Sequence, residues 1–118
     1  MGSAVIFNIV FPSDNALIPI RSTTLIVTGH SGIDFKLRVN DKPIADNHVG
    51  SVVVSNEKSV SAIEWIAVPL EVGENKIEVA GYDSFGNLRQ SQAITLFVPG
   101  KMDVLDPMEY QTIQPRQP

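Results

Sequence analysis

The strictest constraint on this chain is a period of two. Ile33, Phe35, Leu37 and Val39 alternate with Asp34, Lys36 and Arg38, placing four apolar groups against three charges. Successive side chains of an extended strand point to opposite faces, so the segment reads as a half-buried strand. A helix would scatter the same residues around its axis. Val5, Phe7, Ile9 and Phe11 repeat the parity with Asn8 outward. Leu25 and Val27 carry it through the β-branched stretch Thr23 to Thr28, and Ile77 and Val79 alternate with Lys76 and Glu78. Val49 to Ser55 and Ile63 to Val68 are β-branched runs, and Ala93 to Val98 closes the series. No window of about eleven residues carries a helical stripe.

The gaps hold turn chemistry. Pro12-Ser13-Asp14-Asn15 ends the first strand, and Gly29-His30-Ser31-Gly32 precedes the alternating one. Asn40-Asp41-Lys42-Pro43 follows it, with Asn and Asp able to take the left-handed backbone that a tight hairpin needs. Glu71 to Asn75 and Asp83 to Asn87 are the last two turns, each with a glycine to supply positive φ. About seven short strands at such spacing predict an all-β fold, an antiparallel sandwich with a small barrel as rival. Strand parity predicts a core that includes Phe7, Phe35, Leu37, Val39, Trp65, Ile77, Val79 and Leu96.

With 118 residues, 43% apolar and 19% charged, the chain has the composition of one globular domain. The last twenty residues change character: Pro99, Pro107, Pro115 and Pro118 fall there and alternation is lost. The expected division is a sandwich over residues 4–100 and a Pro-rich linker or tail over 101–118, with Tyr110 and Ile113 the side chains able to dock back. Met1-Gly2-Ser3 reads as an expression scar and no signal-peptide pattern follows it, so the chain is expected to be a fragment of a longer exported protein. Net charge is −4 and no Lys or Arg cluster is present, which argues against nucleic acid and anionic lipid as partners. The absence of cysteine excludes disulfides, thiolate catalysis and cysteine-ligated zinc. No apolar run approaches the ~20 residues of a membrane helix.

Several of these segments together resemble one family. Leu70-Glu71-Val72-Gly73-Glu74-Asn75-Lys76-Ile77-Glu78-Val79 followed by Asp83-Ser84-Phe85-Gly86-Asn87-Leu88-Arg89 is similar to the closing pattern of bacterial immunoglobulin-like repeats of large cell-surface and secreted proteins. Val39-Asn40-Asp41-Lys42-Pro43-Ile44 resembles their central hairpin, with Asp41 where glycine is usual. Glu64 to Leu70, around Trp65, is similar to the strand before the glycine–asparagine turn, and Ile94 to Gly100 resembles the last strand and exit. The likeness spans roughly residues 5–100, and residues 45–62 are long for such a module, which predicts an extra hairpin or a bulge. The resemblance implies an immunoglobulin-like sandwich, chained to other domains, in the cell envelope or outside the cell.

Gly29-His30-Ser31-Gly32 fails as a nucleophile elbow because Ile33 stands where the second glycine would be. His30 and His48 flank turns without metal-ligand spacing. Glu71 and Glu74 flank a turn glycine in solvent, and Asp34 shares an outer face with Lys36 and Arg38, so both sets read as surface. Asp83, Asn87, Asp14 and Asn15 are turn oxygen donors that could share a Ca²⁺ if the fold places them at one end, and cap their own turns otherwise. Phe85 is expected to be half covered, closing the end of the core. Trp65 reads as core filler rather than a ligand platform.

No catalytic, cofactor or metal residues are therefore assigned, and no enzyme activity is expected. The leading expectation is a monomeric structural or interaction module, a spacer or adhesion-type repeat. Its partners would be neighbouring domains of the same chain and protein or glycan at the cell surface. The other reading is a carbohydrate-binding accessory domain of an extracellular hydrolase, for which only Trp65, Tyr82 and Phe85 could supply the flat aromatic patch.

Overall fold

The computed structural model describes residues 6–100. The expected tail over 101–118 lies outside the described residues. Nine strand segments follow in order: β1 Phe7–Phe11, β2 Ala16–Leu17, β3 Ser22–His30, β4 Asp34–Val39, β5 Lys42–Pro43, β6 Val49–Ser55, β7 Val60–Pro69, β8 Gly73–Tyr82 and β9 Leu88–Val98. A single 3₁₀ turn, Asp46–His48, leads into β6. They form two sheets, β1-β3-β7-β6 and β2-β9-β8-β4-β5. Seven strands exceed two residues, and their order is the ABED-on-GFC arrangement of an immunoglobulin-like sandwich. The sheets are antiparallel apart from β2, which runs parallel to β9 through Ala16↔Leu96 and Leu17↔Phe97.

All eight core residues read from parity are buried, joined by Leu25, Val27, Val68, Leu70, Ile94 and Val98. Phe7 meets Phe35 edge-on across the sheets, ring centroids 5.3 Å apart. Trp65 is 2% exposed, as core filler. Two bulges explain where parity alone misleads. Phe11 pairs with Ile26 after a register shift at Val10, so Phe11 is 49% exposed rather than inward. On β7, Thr23↔Val68 and Leu25↔Trp65 leave Ile66 and Ala67 opposite one residue of β3. That lets Trp65 and Val68, of opposite parity, both point into the core. The irregularity expected over 45–62 is the 3₁₀ turn together with a third bulge between Val49 and Ser51.

Asn40 and Asp41 both take positive φ, 53° and 68°, and close the two-residue turn between β4 and β5. This is the left-handed pair of a type I′ hairpin, with Asp41 doing without the glycine that turn prefers. Gly29 has a different cause. A Cβ there would lie 2.6 Å from both the Ile6 carbonyl oxygen and Phe7 Cβ, so β1 can approach β3 only over a glycine.

The two long sides of the sandwich are closed differently. On one side β1 lies beside the upper half of β9, and two glutamines of β9 reach across to its backbone. Gln90 Oε1 accepts from the Ile6 amide at 2.7 Å and the Phe7 amide at 3.3 Å, and Gln90 Nε2 donates to the Phe7 carbonyl at 3.1 Å. Gln92 Oε1 accepts from the Ile9 amide at 3.0 Å. Side-chain amides thus replace a strand ladder. On the other side β6 and the Asp34–Lys36 part of β4 face each other across a groove of mixed character, in which Phe35, Val52, Val54, Ile63 and Trp65 lie beside Asp34, Lys36, Asp46 and Ser61.

Candidate functional site

The chain comes in and leaves at opposite poles. β1 begins beside Gly29, His30 pairs with Val60, and Asp34 pairs with Tyr82. The leading pole therefore gathers the start of β1, the β3–β4 and β6–β7 turns and the Asp83–Asn87 turn. β9 ends at Val98, opposite Gly73, with the Asn40–Asp41 turn close by through Val39↔Ile77. These form the trailing pole.

The Asp83–Asn87 turn is held by one side chain. At the leading pole Asp83 Oδ1 accepts from the Phe85 and Asn87 amides, both at 2.9 Å, and Gly86 takes φ 85°. Arg89 Nη1 lies 3.7 Å from Asp83 Oδ2. The Asn87 amide above all, then the Phe85 amide and the Arg89 charge, hold the Asp83 carboxyl below its ordinary value of 3.8. The capping role expected of Asp83 is the one observed, whereas Asp14 Oδ1 accepts at 2.8 Å from the Thr95 amide of β9 and not from its own turn. These contacts also set the Asp14–Asn15 turn apart from the Asp83–Asn87 turn. Asp14 and Asn15 sit level with Thr95, seven residues along β9 from Leu88, which is ~23 Å of extended strand. The two turns do not share a site.

The other candidates are equally dispersed. His30 is exposed at the leading pole, while His48 Nδ1 lies 3.1 Å from the Ile66 carbonyl, six residues down β7 from Val60 and so ~20 Å away. Ser31 belongs to the turn through its amide, which donates to the Ser59 carbonyl at 3.0 Å. Glu71 pairs with Arg21 at 3.5 Å and Asp34 with Lys36 at 3.5 Å, all four side chains well exposed. Tyr82 is half-buried. Phe85, expected to be half covered, is 87% exposed, because both amides around it bond to Asp83 and turn its ring outward from the pole.

Sequence reading missed two features. Asn75 is fully buried and its amide makes four bonds: Oδ1 accepts from the Glu71 amide at 2.8 Å and from Asn40 Nδ2 at 2.9 Å, and Nδ2 donates to the Glu71 and Gly73 carbonyls at 2.8 and 3.1 Å. It lies in a segment that alternates apolar with polar, where parity marks it inward. The second is the β6 edge, with Val52, Val53 and Val54 at 58, 63 and 52% exposure. A β-branched run reads as a strand but does not say whether that strand has neighbours on both sides.

No family model and no curated protein sequence matches the chain. Solved structures similar to it include the following two. An endo-beta-1,4-mannanase from Thermotoga petrophila superposes with a TM-score of 0.55 at 12% identity, over 79% of this chain and 19% of that one. Fibronectin(III)-like modules of Clostridium thermocellum CbhA superpose with a TM-score of 0.52 at 21% identity, over 80% of this chain and 97% of theirs. The chain thus spans about a fifth of the mannanase and nearly all of the fibronectin-like module. At these identities the likeness is one of fold: an immunoglobulin- or fibronectin-like β-sandwich.

Proposed function

We propose that this domain is a non-catalytic structural and interaction module, a spacer or adhesion-type repeat in a larger bacterial surface or secreted protein. The observation that carries this reading is the opposition of the poles. The chain comes in at Ile6 and leaves after Val98, and β9 alone, at eleven residues, runs ~35 Å between them. A domain so connected adds its whole length when placed in series. Phe85 at the tip of the leading pole supports the reading, because an apolar ring held out of the domain suits contact with a neighbouring one. The setting would be the cell envelope or the outside of the cell, with neighbouring domains, and surface protein or glycan, as partners.

The likeness to part of a mannanase keeps a second reading in view, a carbohydrate-binding accessory domain. A sugar platform needs coplanar exposed aromatics. Trp65 is buried and Tyr82 is half-buried, so of the three candidates only Phe85 is well exposed. Affinity electrophoresis through mannan, xylan and mixed-linkage glucan separates the two readings. Mobility should be unchanged, and small-angle scattering of two copies joined in series should show the maximum dimension growing by one domain length. Retardation on a polysaccharide, abolished by Phe85→Ala, would put the accessory reading in its place.

A further inference from the structure

A sandwich of this kind has four edge strands, and three of them are guarded. β1 is bulged, ends at Pro12, and is bound by Gln90 and Gln92. β2 is two residues long and β5 consists of Lys42 and Pro43. Short length, lysine, proline and bulges are the devices that keep sheet edges from pairing. β6 carries none of them beyond its first turn: Ser51 to Ser55 has no charge, no proline and a regular ladder to β7 on its inner side. Its other side faces no strand among the described residues.

The sequence of that edge names its partner. Ser51-Val52-Val53-Val54-Ser55 is a palindrome about Val53. Antiparallel strands related by a two-fold axis perpendicular to their sheet keep inner face with inner face, so paired residue numbers must sum to an even value. An axis through Val53 pairs Val53 with Val53, Val52 with Val54 and Ser51 with Ser55. Val52 and Val54 line the open groove between β6 and β4, so the same axis brings the valine-lined walls of the two grooves together. It also sets the hairpin tip, Glu57 and Lys58, level with Val49 and His48 of the second copy.

We propose that β6 is a self-association edge, at which a second copy of this chain adds antiparallel through the palindrome centred on Val53 and joins two four-stranded sheets into one of eight. This departs from the monomer that the sequence leads one to expect, and it is independent of the spacer reading. The contact is one strand pair and a shallow apolar patch, at the small end of specific interfaces, so a reversible dimer forming at ~10–500 µM is expected.

The test uses the 118-residue chain. Sedimentation equilibrium from about 10 µM to 1 mM should show a monomer–dimer equilibrium, weakened at least about 30-fold by Val53→Lys, which sets like charges face to face on the axis. Val53 is 63% exposed, so the variant should keep its monomer fold and thermal midpoint. Because the chain has no cysteine, Val53→Cys gives a second readout: mild oxidation should link it into a disulfide dimer, and Val10→Cys on the guarded β1 edge should stay monomeric. A monomer at 1 mM, a dimer that survives Val53→Lys, growth beyond the dimer, or equal crosslinking at positions 53 and 10 would each overturn the proposal.

Discussion

β8 ends in a turn at both poles, and the two turns solve one problem with opposite chemistry. Each has a glycine at positive φ, Gly73 at 98° and Gly86 at 85°, and each has one side chain bonded to the turn's own backbone. At the trailing pole that side chain is Asn75, neutral, fully buried and saturated with four hydrogen bonds. At the leading pole it is Asp83, ionised and beside solvent, accepting two amides and facing Arg89. The difference follows from what each turn must bond. Glu71 offers Asn75 both an amide and a carbonyl, and only a carboxamide can answer both inside a core. Phe85 and Asn87 offer amides alone, which a carboxylate accepts most strongly, and water is near enough to solvate its charge. A buried cap is thus a packing element, and an exposed one is an electrostatic element.

The largest expected effect is at Asn75. Asn75→Ala leaves the Glu71 amide, the Glu71 and Gly73 carbonyls and Asn40 Nδ2 without their partner, and opens a cavity under the turn. Each buried orphan costs about 1–3 kcal/mol, some of it recovered by water at the pole, so a loss of ~4 kcal/mol is expected. That is a large share of the ~5–15 kcal/mol of a typical domain. Urea unfolding measures it. A loss below about 1 kcal/mol would mean that Asn75 is not the trailing turn's anchor. Asn40 carries the effect further, since its Oδ1 accepts from the Lys76 amide at 2.9 Å and so ties the β4–β5 turn to the same point.

The glycines give a mid-sized comparison. A Cβ at Gly73 or Gly86 would meet nothing within 4 Å, so alanine at either position reports backbone strain alone. Gly86→Ala should cost ~1 kcal/mol. Gly73→Ala should cost more, ~2 kcal/mol, because relaxing that φ also moves the carbonyl that Asn75 Nδ2 holds. Equal losses at the two sites would show that strain at the trailing turn does not reach the buried amide.

Much of this was legible in the sequence, and the reasons are local. Alternation over Ile33 to Val39 sets one face against the other whatever the partner strands are, so the core of β4 could be read directly. Asp83 and Gly86 bond within a few residues, and such turns carry their chemistry in the local sequence. Phe11 and Val68 could not be read the same way, since bulges that shift their parity depend on how β1 and β7 meet β3. The separation of Asp14 from Asp83 and the exposure of β6 are properties of sheet order. A strand's sequence says little about which neighbours it has, and the palindrome in β6 acquires meaning only once that strand is known to be an edge.

The smallest expected effect concerns the charge on Asp83, and pH isolates it. The folded carboxyl titrates below its ordinary value of 3.8, so the folded state prefers the ionised form. A depressed carboxylate contributes stability in full above its unfolded value and loses it as pH falls through the folded one. The contribution should hold from neutral pH down to about 4 and fade below it. Asp83→Asn keeps an oxygen for the Asn87 and Phe85 amides but removes the charge and its titration. The thermal midpoint followed by circular dichroism should be higher for the native chain than for the variant at neutral pH, by less than the Gly86→Ala loss. The two curves should converge as pH falls below about 4 and through the folded value of Asp83, while every other carboxylate contributes equally to both. Salt should narrow the neutral-pH gap, since the Arg89 contribution comes from a solvent-exposed guanidinium that ions screen. Curves that stay parallel down to pH 2 would mean that the leading turn is held by hydrogen-bond geometry alone. The two caps would then differ in burial and not in kind.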